Sequence, residues 1–254
     1  MSAGIVLADF EREGGHAMHP TELPQYAIDG ALRRRGKIHA IEQVDPAKCA
    51  LVVIDMQNVF LKEGAPAETP MAREIVPNIN KLANAVRQTG GRVIWVQMTH
   101  SSENLDTWSF FYQVVSRPER ARKMLEWMTP GSEGQQLWPQ MDAQENDLYV
   151  EKTRYSVFGQ GSSTITEVMT DHELDTVLIT GTVSNVCCES SARDAMMLNY
   201  KTVMVSDGNA GHTDEEHLAA LASIFQVFGD VYTTEELISL LESGAETAKR
   251  QAAE

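Results

Sequence analysis

The sequence lacks any long apolar run and has a deficit of positive charge. No stretch approaches the roughly 18 consecutive apolar residues that a membrane-spanning helix needs, so we expect no membrane span. Lysines and arginines number 21 against 36 aspartates and glutamates, and the net charge of −15 argues against nucleic acid or an anionic membrane as a partner. These absences leave a small molecule as the expected partner.

Cysteine is also scarce. The chain has three, an odd number, and Cys187 and Cys188 are adjacent while Cys49 stands alone. Neighbouring cysteines rarely bridge each other, which argues against a disulfide framework and for a reducing compartment. The stretch "MSAGIVLADFEREGG" (1–15) lacks the basic region and the apolar length of a signal peptide. We therefore expect a cytoplasmic protein.

Six apolar, β-branched runs alternate with segments whose apolar residues recur at helical spacing. Strands that are apolar throughout and alternate with helices predict a mainly parallel sheet covered on both faces, a single three-layer α/β/α domain of Rossmann-like type. We expect this domain over 49–245, an N-terminal arm over 1–48 and a C-terminal tail over 246–254. The predicted strands are 50–56, 92–98, 147–152, 176–181, 202–208 and 230–234.

The N-terminal arm has few ways to build a core of its own. The stretch "LPQYAIDGALRRRG" (23–36) predicts a short helix, and we expect the basic cluster at its end (33–37) to be solvated. Such a helix could dock on a neighbouring subunit, and we expect a homo-oligomer, a dimer or a tetramer.

A long segment, 101–146, separates the second and third predicted strands and holds three of the four tryptophans. A long insertion at a ligand-binding edge is often a lid, and a subdomain with its own small core is the alternative; the two are compatible. Within it, "DTWSFFY" (106–112) predicts an apolar pocket wall with Trp108 and Phe111 on one helical face and Phe110 as the anchor to the core. The alternative is that all these rings are subdomain core.

Parallel sheets bind ligands outside the carboxyl ends of their strands, so residues there are the candidates for chemistry. The stretch "TGTVSNVCCESSARDA" (180–195) places Cys187 in the first turn of a predicted helix that Ser184 or Asn185 can cap. Unpaired N–H groups and the helix dipole favour a thiolate there, which makes Cys187 a candidate nucleophile; a structural thiol is the alternative. Cys188 points about 100° away and is expected to pack.

Two ionisable residues close other apolar strands. Asp55 is a candidate general base, or else a cap of the following turn. Lys152 is a candidate ammonium that stabilises nearby anions, or else a surface lysine. Their shared position at strand ends with Cys187 favours a common site.

Three motifs resemble, in order, those of the isochorismatase-like cysteine hydrolases, a family that includes nicotinamidases, N-carbamoylsarcosine amidases, ureidoacrylate amidohydrolases and biuret hydrolases. The similarity in pattern extends from about residue 48 to 240, and the arm lies outside it. The motifs are "ALVVIDMQNVF" (50–60), "VEKTRYSVF" (150–158) and "GTVSNVCCESSARDAMMLNYKTVMVSDGNAG" (181–211).

The resemblance implies a mechanism. Asp55 would deprotonate Cys187, which would attack an amide-type carbonyl, and water would hydrolyse the thioester, with Lys152 as the third member. It also implies a cis peptide between Val183 and Ser184, and an oxyanion hole made by the N–H groups of Val183 and Cys187. The expected reaction is C–N hydrolysis of a small amide, carbamoyl or ureido compound.

Two departures narrow the expectation. Nicotinamidases carry an Asp and two His as metal ligands after the second strand, whereas "QMTHSSENLDTW" (97–108) has one histidine, so we expect no metal and no other cofactor. Isochorismatases proper typically lack the cysteine, which leaves vinyl ether hydrolysis as the runner-up and a non-catalytic binding homologue as a third possibility. The residues expected to contact substrate are Gln57, Asn58, Trp108, Phe111, Tyr155 and Phe158.

Overall fold

The computed structural model describes residues 18–253 and contains one six-stranded sheet. Every pairing is parallel, and the strand order is β3-β2-β1-β4-β5-β6. This confirms the predicted fold class and all six strand positions. The strands are β1 (Cys49–Ile54), β2 (Arg92–Met98), β3 (Leu148–Lys152), β4 (Thr176–Thr182), β5 (Lys201–Ala210) and β6 (Asp230–Tyr232).

Helices connect the strands, and π-helical turns adjoin some of them. The π-helical turns span Phe111–Val115, Ser184–Cys188 and Ile224–Phe228. The α-helices are α1 (Gln25–Arg35), α2 (Asn58–Leu61), α3 (Val76–Gln88), α4 (Asn104–Thr107), α5 (Pro118–Met128), α6 (Ile165–Asp171), α7 (Glu189–Met197), α8 (Asp214–Ser223) and α9 (Thr234–Ala253).

Strand β1 shows why the sheet is covered on both faces. Its residues alternate between two hydrophobic clusters, because successive side chains of a strand point to opposite sides. One cluster includes α3 and α9, and the other includes α7 and α8. The first contains Cys49, Leu51 and Val53, and the second contains Ala50, Val52 and Ile54.

A glycine allows β1 and β4 to approach closely where both end. Gly181 lies opposite Ile54 in the strand register and has a φ of 114°, and a Cβ on it would overlap the Ile54 carbonyl. Asp55, which directly follows β1, has a φ of 57°, a left-handed conformation that aspartate tolerates better than most residues. The close approach brings Asp55 beside the turn that follows β4.

The arm packs against its own chain. Ala27 and Ala31 of α1 are fully buried, and the Arg35 guanidinium donates to the carbonyls of Phe225 and Gly229 at 3.0 and 3.1 Å. Arg33, Arg34 and Lys37 are exposed, as predicted for this basic helix end, whereas Arg35 is partly buried. Helix α1 buries its small apolar residues without a neighbouring subunit. The oligomeric state stays a prediction, and residues 1–17 lie outside the described residues.

Helix α9 continues without a break from Thr234 to Ala253, so residues 246–253 of the predicted C-terminal tail extend this helix. Asp207 of β5 accepts hydrogen bonds from the N–H and the hydroxyl of Thr234 at 2.7 and 2.8 Å, so it caps this helix. Within residues 18–253, none of the helices combines the length and the apolar character required to cross a membrane.

Candidate active site

Three strand ends bring together a cluster of three buried side chains, which we call the Asp–Lys–Cys cluster: Asp55 after β1, Lys152 at the end of β3 and Cys187 after β4. Nζ of Lys152 lies 2.8 Å from Oδ2 of Asp55 and donates to Sγ of Cys187 at 3.4 Å. Asp55 and Lys152 are fully buried and Cys187 is 3% exposed. The three predicted residues are therefore neighbours, as a common site requires.

Lys152 is not the surface lysine of the alternative interpretation. Besides its two partners in the cluster, its ammonium donates to the carbonyl of Arg154 at 3.2 Å and to Sδ of Met98 at 3.5 Å. A buried ammonium is costly unless such partners surround it. The site thus holds one positive charge between two groups that can become anions.

The electrostatics correct one prediction. Burial raises the pKa of Asp55, although Lys152 opposes this. Burial and the Asp55 carboxylate raise the pKa of Cys187, and Lys152 opposes them only in part, whereas a lowered pKa was expected. Burial would lower the pKa of Lys152, but Asp55 and Cys187 hold it above its ordinary value. The Cys187 sulfur is therefore a neutral thiol at rest, next to the Lys152 ammonium.

Cys187, the predicted nucleophile, lies in the π-helical turn Ser184–Cys188, between β4 and α7. The N–H groups of Val186 and Cys188, on either side of Cys187, both donate to the carbonyl of Val183 at 3.0 and 3.2 Å. Cys188 is fully buried in the core, where it was predicted to pack. Neither Ser184 nor Asn185 caps a helix as predicted. Val183 is the N-cap residue of the turn, and no side chain makes a capping hydrogen bond.

The cis peptide bond is one residue earlier than predicted. It joins Thr182 to Val183, not Val183 to Ser184. Strand β4 continues to Thr182, which pairs with Ala210 of β5. The cis bond therefore directly follows the last residue of the strand. The N–H group within this bond belongs to Val183, the residue expected in the oxyanion hole, whose role remains a prediction.

An aromatic cover, formed by Trp108, Phe111, Tyr112 and Tyr155, packs beside the cluster. The rings of Trp108 and Phe111 stack with centroids 4.4 Å apart, and Tyr155 meets Trp108 edge-on at 5.0 Å. Tyr155 packs against the hydrophobic cluster that contains Cys187, and burial together with Cys187 raises the pKa of its phenol. The 101–146 insertion thus has a small core of its own, and that core adjoins the predicted site.

Phe110 is not the anchor that was predicted. It is 67% exposed, whereas Phe111 and Tyr112, the next two residues, are 4% and 6% exposed. The chain enters a π-helical turn at Phe111, so the face that turns inward differs from the one an α-helix would bury.

Two polar residues of this region were missed. His100 is fully buried, its Nδ1 lies 2.7 Å from the Tyr112 hydroxyl, and burial with the charge of Lys152 lowers its pKa to about 4. Arg154 donates to the carbonyl of Thr107 at 2.9 Å and lies 5.2 Å from the Trp108 ring centre. The only feature of the sequence that could have indicated these two residues is their position shortly after a strand end.

Three of the residues expected to contact substrate make contacts within the protein, and contact with substrate stays a prediction for them. Nε2 of Gln57 donates to the carbonyls of Met98 and Gln135, and its Oε1 accepts from the Met98 N–H, so its amide is fully used. Asn58 donates to the Glu133 carbonyl at 2.8 Å. Both amides therefore tie the end of β1 to neighbouring backbone, which a strand-end position alone does not reveal.

Phe158 is the third of these. Its ring is 6% exposed and lies 5.6 Å from that of Tyr200, which follows the far end of α7 from Cys187. The ring therefore belongs to the core. Trp108, Phe111 and Tyr155 keep their place beside the cluster, and contact with substrate stays a prediction for them.

Comparison with known proteins agrees with this geometry. The isochorismatase domain matches residues 49–236, a span that contains the whole cluster. The chain belongs to the isochorismatase family. Ureidoacrylate amidohydrolase RutB of Klebsiella pneumoniae is 28% identical over 221 residues, which cover 80% of this chain and 91% of that protein. The fold and the family make this chain an isochorismatase-family hydrolase.

Two further relatives have contrasting descriptions, one as inactive and one as a cysteine hydrolase. A protein of Arabidopsis thaliana described as a probable inactive nicotinamidase is 30% identical over 172 residues, covering 67% of this chain and 84% of its own. The crystal structure of a cysteine hydrolase from Pseudomonas syringae pv. phaseolicola 1448A has a TM-score of 0.69 and 25% identity, covering 82% of this chain and 98% of its own.

Proposed function

We propose that this hydrolase cleaves a C–N bond in a small amide, carbamoyl or ureido compound through a thioester on Cys187. The carrying observation is the buried ammonium of Lys152, within 2.8 Å of a carboxylate and 3.4 Å of a thiol. Nothing in core packing requires these three groups together, because a buried charge pair commonly contributes no more stability than apolar residues. The name of the amidohydrolase relative supports the same reaction class.

The first half of the reaction forms the thioester. Asp55 accepts the thiol proton as Cys187 attacks the carbonyl carbon, and the carbonyl oxygen takes the negative charge. The N–H groups of Val183 and Cys187 are the donors expected for that oxygen. The intermediate then collapses, the C–N bond breaks, and the proton on Asp55 passes to the departing nitrogen. The raised pKa of Asp55 suits a group that must both accept and return a proton.

The second half hydrolyses the thioester. Asp55, again ionised, accepts a proton from water as the water oxygen attacks the thioester carbon. Collapse of the second intermediate breaks the C–S bond, and the proton returns to the Cys187 sulfur. Lys152 remains charged throughout and stabilises whichever of Asp55 and Cys187 is the anion.

A screen of amides, carbamoyl compounds and ureides for released ammonia or amine tests the proposal. Turnover that disappears with Cys187→Ala is the expected result. A vinyl ether hydrolase of isochorismatase type would instead retain its activity in that variant. Absence of turnover on every compound, as expected of a non-catalytic binding homologue, would contradict the proposal.

No step of this mechanism uses a metal. In the described part of the chain, no group of three or more His, Cys, Asp or Glu side chains is arranged to hold an ion. We expect turnover to survive exhaustive treatment with EDTA. Loss of activity that zinc or another divalent ion restores would contradict this part of the proposal.

We also propose a cytoplasmic homo-oligomer. Three free cysteines, all buried, suit a reducing compartment. Light scattering at micromolar concentration should give the mass of a dimer or a tetramer, and the mass of a monomer would refute the assembly.

A further inference from the structure

Ser184 ties the turn that carries Cys187 to helix α8. It is the first residue of the π-helical turn, it is fully buried, and its Oγ lies 2.8 Å from Nδ1 of His217. Its neighbour in the chain is Val183, which supplies one of the two N–H groups expected to bind the oxyanion. The place of the Ser184 hydroxyl therefore constrains the backbone beside that N–H group.

His217 is in turn held by a second histidine. Its ring is fully buried and stacks on the ring of His19, with centroids 4.6 Å apart and planes 15° from parallel. Burial and the nearby His19 lower the pKa of His217 to about 3, so the ring is neutral near pH 7. A neutral imidazole can pair its Nδ1 with the Ser184 hydroxyl in either tautomer, as donor or as acceptor.

His19 uses both ring nitrogens to hold the segment that leads into α8. Its Nδ1 lies 2.6 Å from Oδ1 of Asp214, and its Nε2 lies 3.1 Å from both the backbone nitrogen and the carbonyl oxygen of Gly211. Gly211 follows β5 and Asp214 begins α8, so one side chain joins a strand end to a helix start. His19 itself is 7% exposed, whereas the Asp214 side chain is 40% exposed.

His19 lies outside the part of the chain that matches the family, since that match begins at residue 49. We propose that the segment before the domain takes part in catalysis through His19, which acts as a positioning residue. His19 holds His217, His217 holds Ser184, and Ser184 holds the turn that presents the Val183 N–H and Cys187. The kinetic test of this inference depends on the proposed amidohydrolase function, whereas the exchange test does not.

The kinetic test compares His19→Ala and His217→Ala with His172→Ala, which changes an exposed histidine. Loss of either buried ring should lower kcat about tenfold to a hundredfold, less than removal of an oxyanion donor costs. KM should stay within about twofold, because the substrate contacts are not altered. His217→Asn keeps a polar atom near Ser184 and should recover part of kcat, and His172→Ala should equal the wild type.

Hydrogen–deuterium exchange tests the same idea without a substrate. In both alanine variants the amides of 183–188 should exchange at least about threefold faster, while those of β1 keep their wild-type rates. Wild-type kcat or wild-type exchange in this turn would overturn the proposal, and so would faster exchange along the whole chain, which would indicate general unfolding. A wild-type protein that hydrolyses no amide would contradict the proposed function, and the exchange result would then decide this inference alone.

Discussion

Two regions meet at the carboxyl edge of the sheet, and different forces hold them. The Asp–Lys–Cys cluster is fixed by strand register, by the close approach at Gly181 and by contacts at hydrogen-bond distance. The aromatic cover is held by ring packing and by Arg154, and three of its four rings belong to an insertion. The strand register leaves little freedom in where the three side chains of the cluster lie, whereas each ring of the cover can be replaced by another side chain without changing the sheet. The reaction should therefore depend on the cluster, and the choice of substrate on the cover.

The largest effect is expected within the cluster, from a matched pair of adjacent cysteines. Cys187→Ala should abolish amide hydrolysis, because it removes the proposed nucleophile. Cys188→Ala should retain most of kcat and lose some stability, because this side chain only fills the core. Steady-state kinetics and thermal melting of both variants measure the difference. A reversal of the two outcomes would move the nucleophile to Cys188.

The next effect concerns the other two members of the cluster. Asp55→Asn should lower kcat about 10²–10⁴-fold, because an amide cannot accept the thiol proton. Lys152→Met should lower it to a similar extent, since it leaves Asp55 and Cys187 without their shared cation. Circular dichroism serves as the control that each variant folds. A variant that folds and keeps near-normal turnover would remove its residue from the mechanism.

A smaller effect is expected in the cover. Trp108→Ala should raise KM about tenfold with little change in kcat, because aromatic pairs contribute about 0.5–1.5 kcal/mol beyond the area they bury. Phe111→Ala should mainly lower stability, by about 3–5 kcal/mol, since Phe111 is buried. Phe110→Ala is the matched control and should change neither, because Phe110 is exposed. If Trp108→Ala lowers the melting temperature and leaves KM unchanged, Trp108 is core and the division of labour is wrong.

The smallest effect is a pH dependence of stability at the boundary between the two regions. His100 has a pKa of about 4 in the folded protein against an ordinary 6.5, so between these values the unfolded chain binds a proton that the folded chain does not. Its contribution to stability is full above pH 6.5 and is lost as the pH falls, by at most about 1.4 kcal/mol per unit.

Urea unfolding of His100→Gln between pH 7 and pH 5 measures this contribution. Compared with the wild type, the variant should lose stability less steeply as the pH falls. His172→Ala, in which an exposed histidine is replaced, should keep the wild-type slope. An unchanged slope in His100→Gln would show that His100 titrates normally in the folded protein.

The sequence carried more information about the cluster than about the cover, for a physical reason. Asp55, Lys152 and Cys187 each follow or end an apolar run, and parallel register brings such positions together whatever the side chains between them are. The fate of Phe110 was not predictable in this way, because it depends on a π-helical turn instead of an α-helix. Contacts between distant segments, such as His19 with Asp214, leave no periodic signal at all.

The raised pKa of Cys187 shows a second limit. The position near a helix start was visible in the sequence and favoured a thiolate, whereas burial beside the Asp55 carboxylate raises the pKa of the thiol. Burial depends on how the insertion and the strand ends pack together. A local motif therefore indicated a candidate nucleophile without giving its protonation state.

The thioester on Cys187 is the central claim, and mass spectrometry of acid-quenched turnover tests it most directly. With an amide, carbamoyl or ureido substrate in excess, the peptide that contains Cys187 should gain the mass of the substrate minus its departing amine or ammonia. The gain should appear in Cys188→Ala and not in Cys187→Ala. An adduct on another residue, or Cys187→Ala that still releases ammonia or amine at the wild-type rate, would contradict the account.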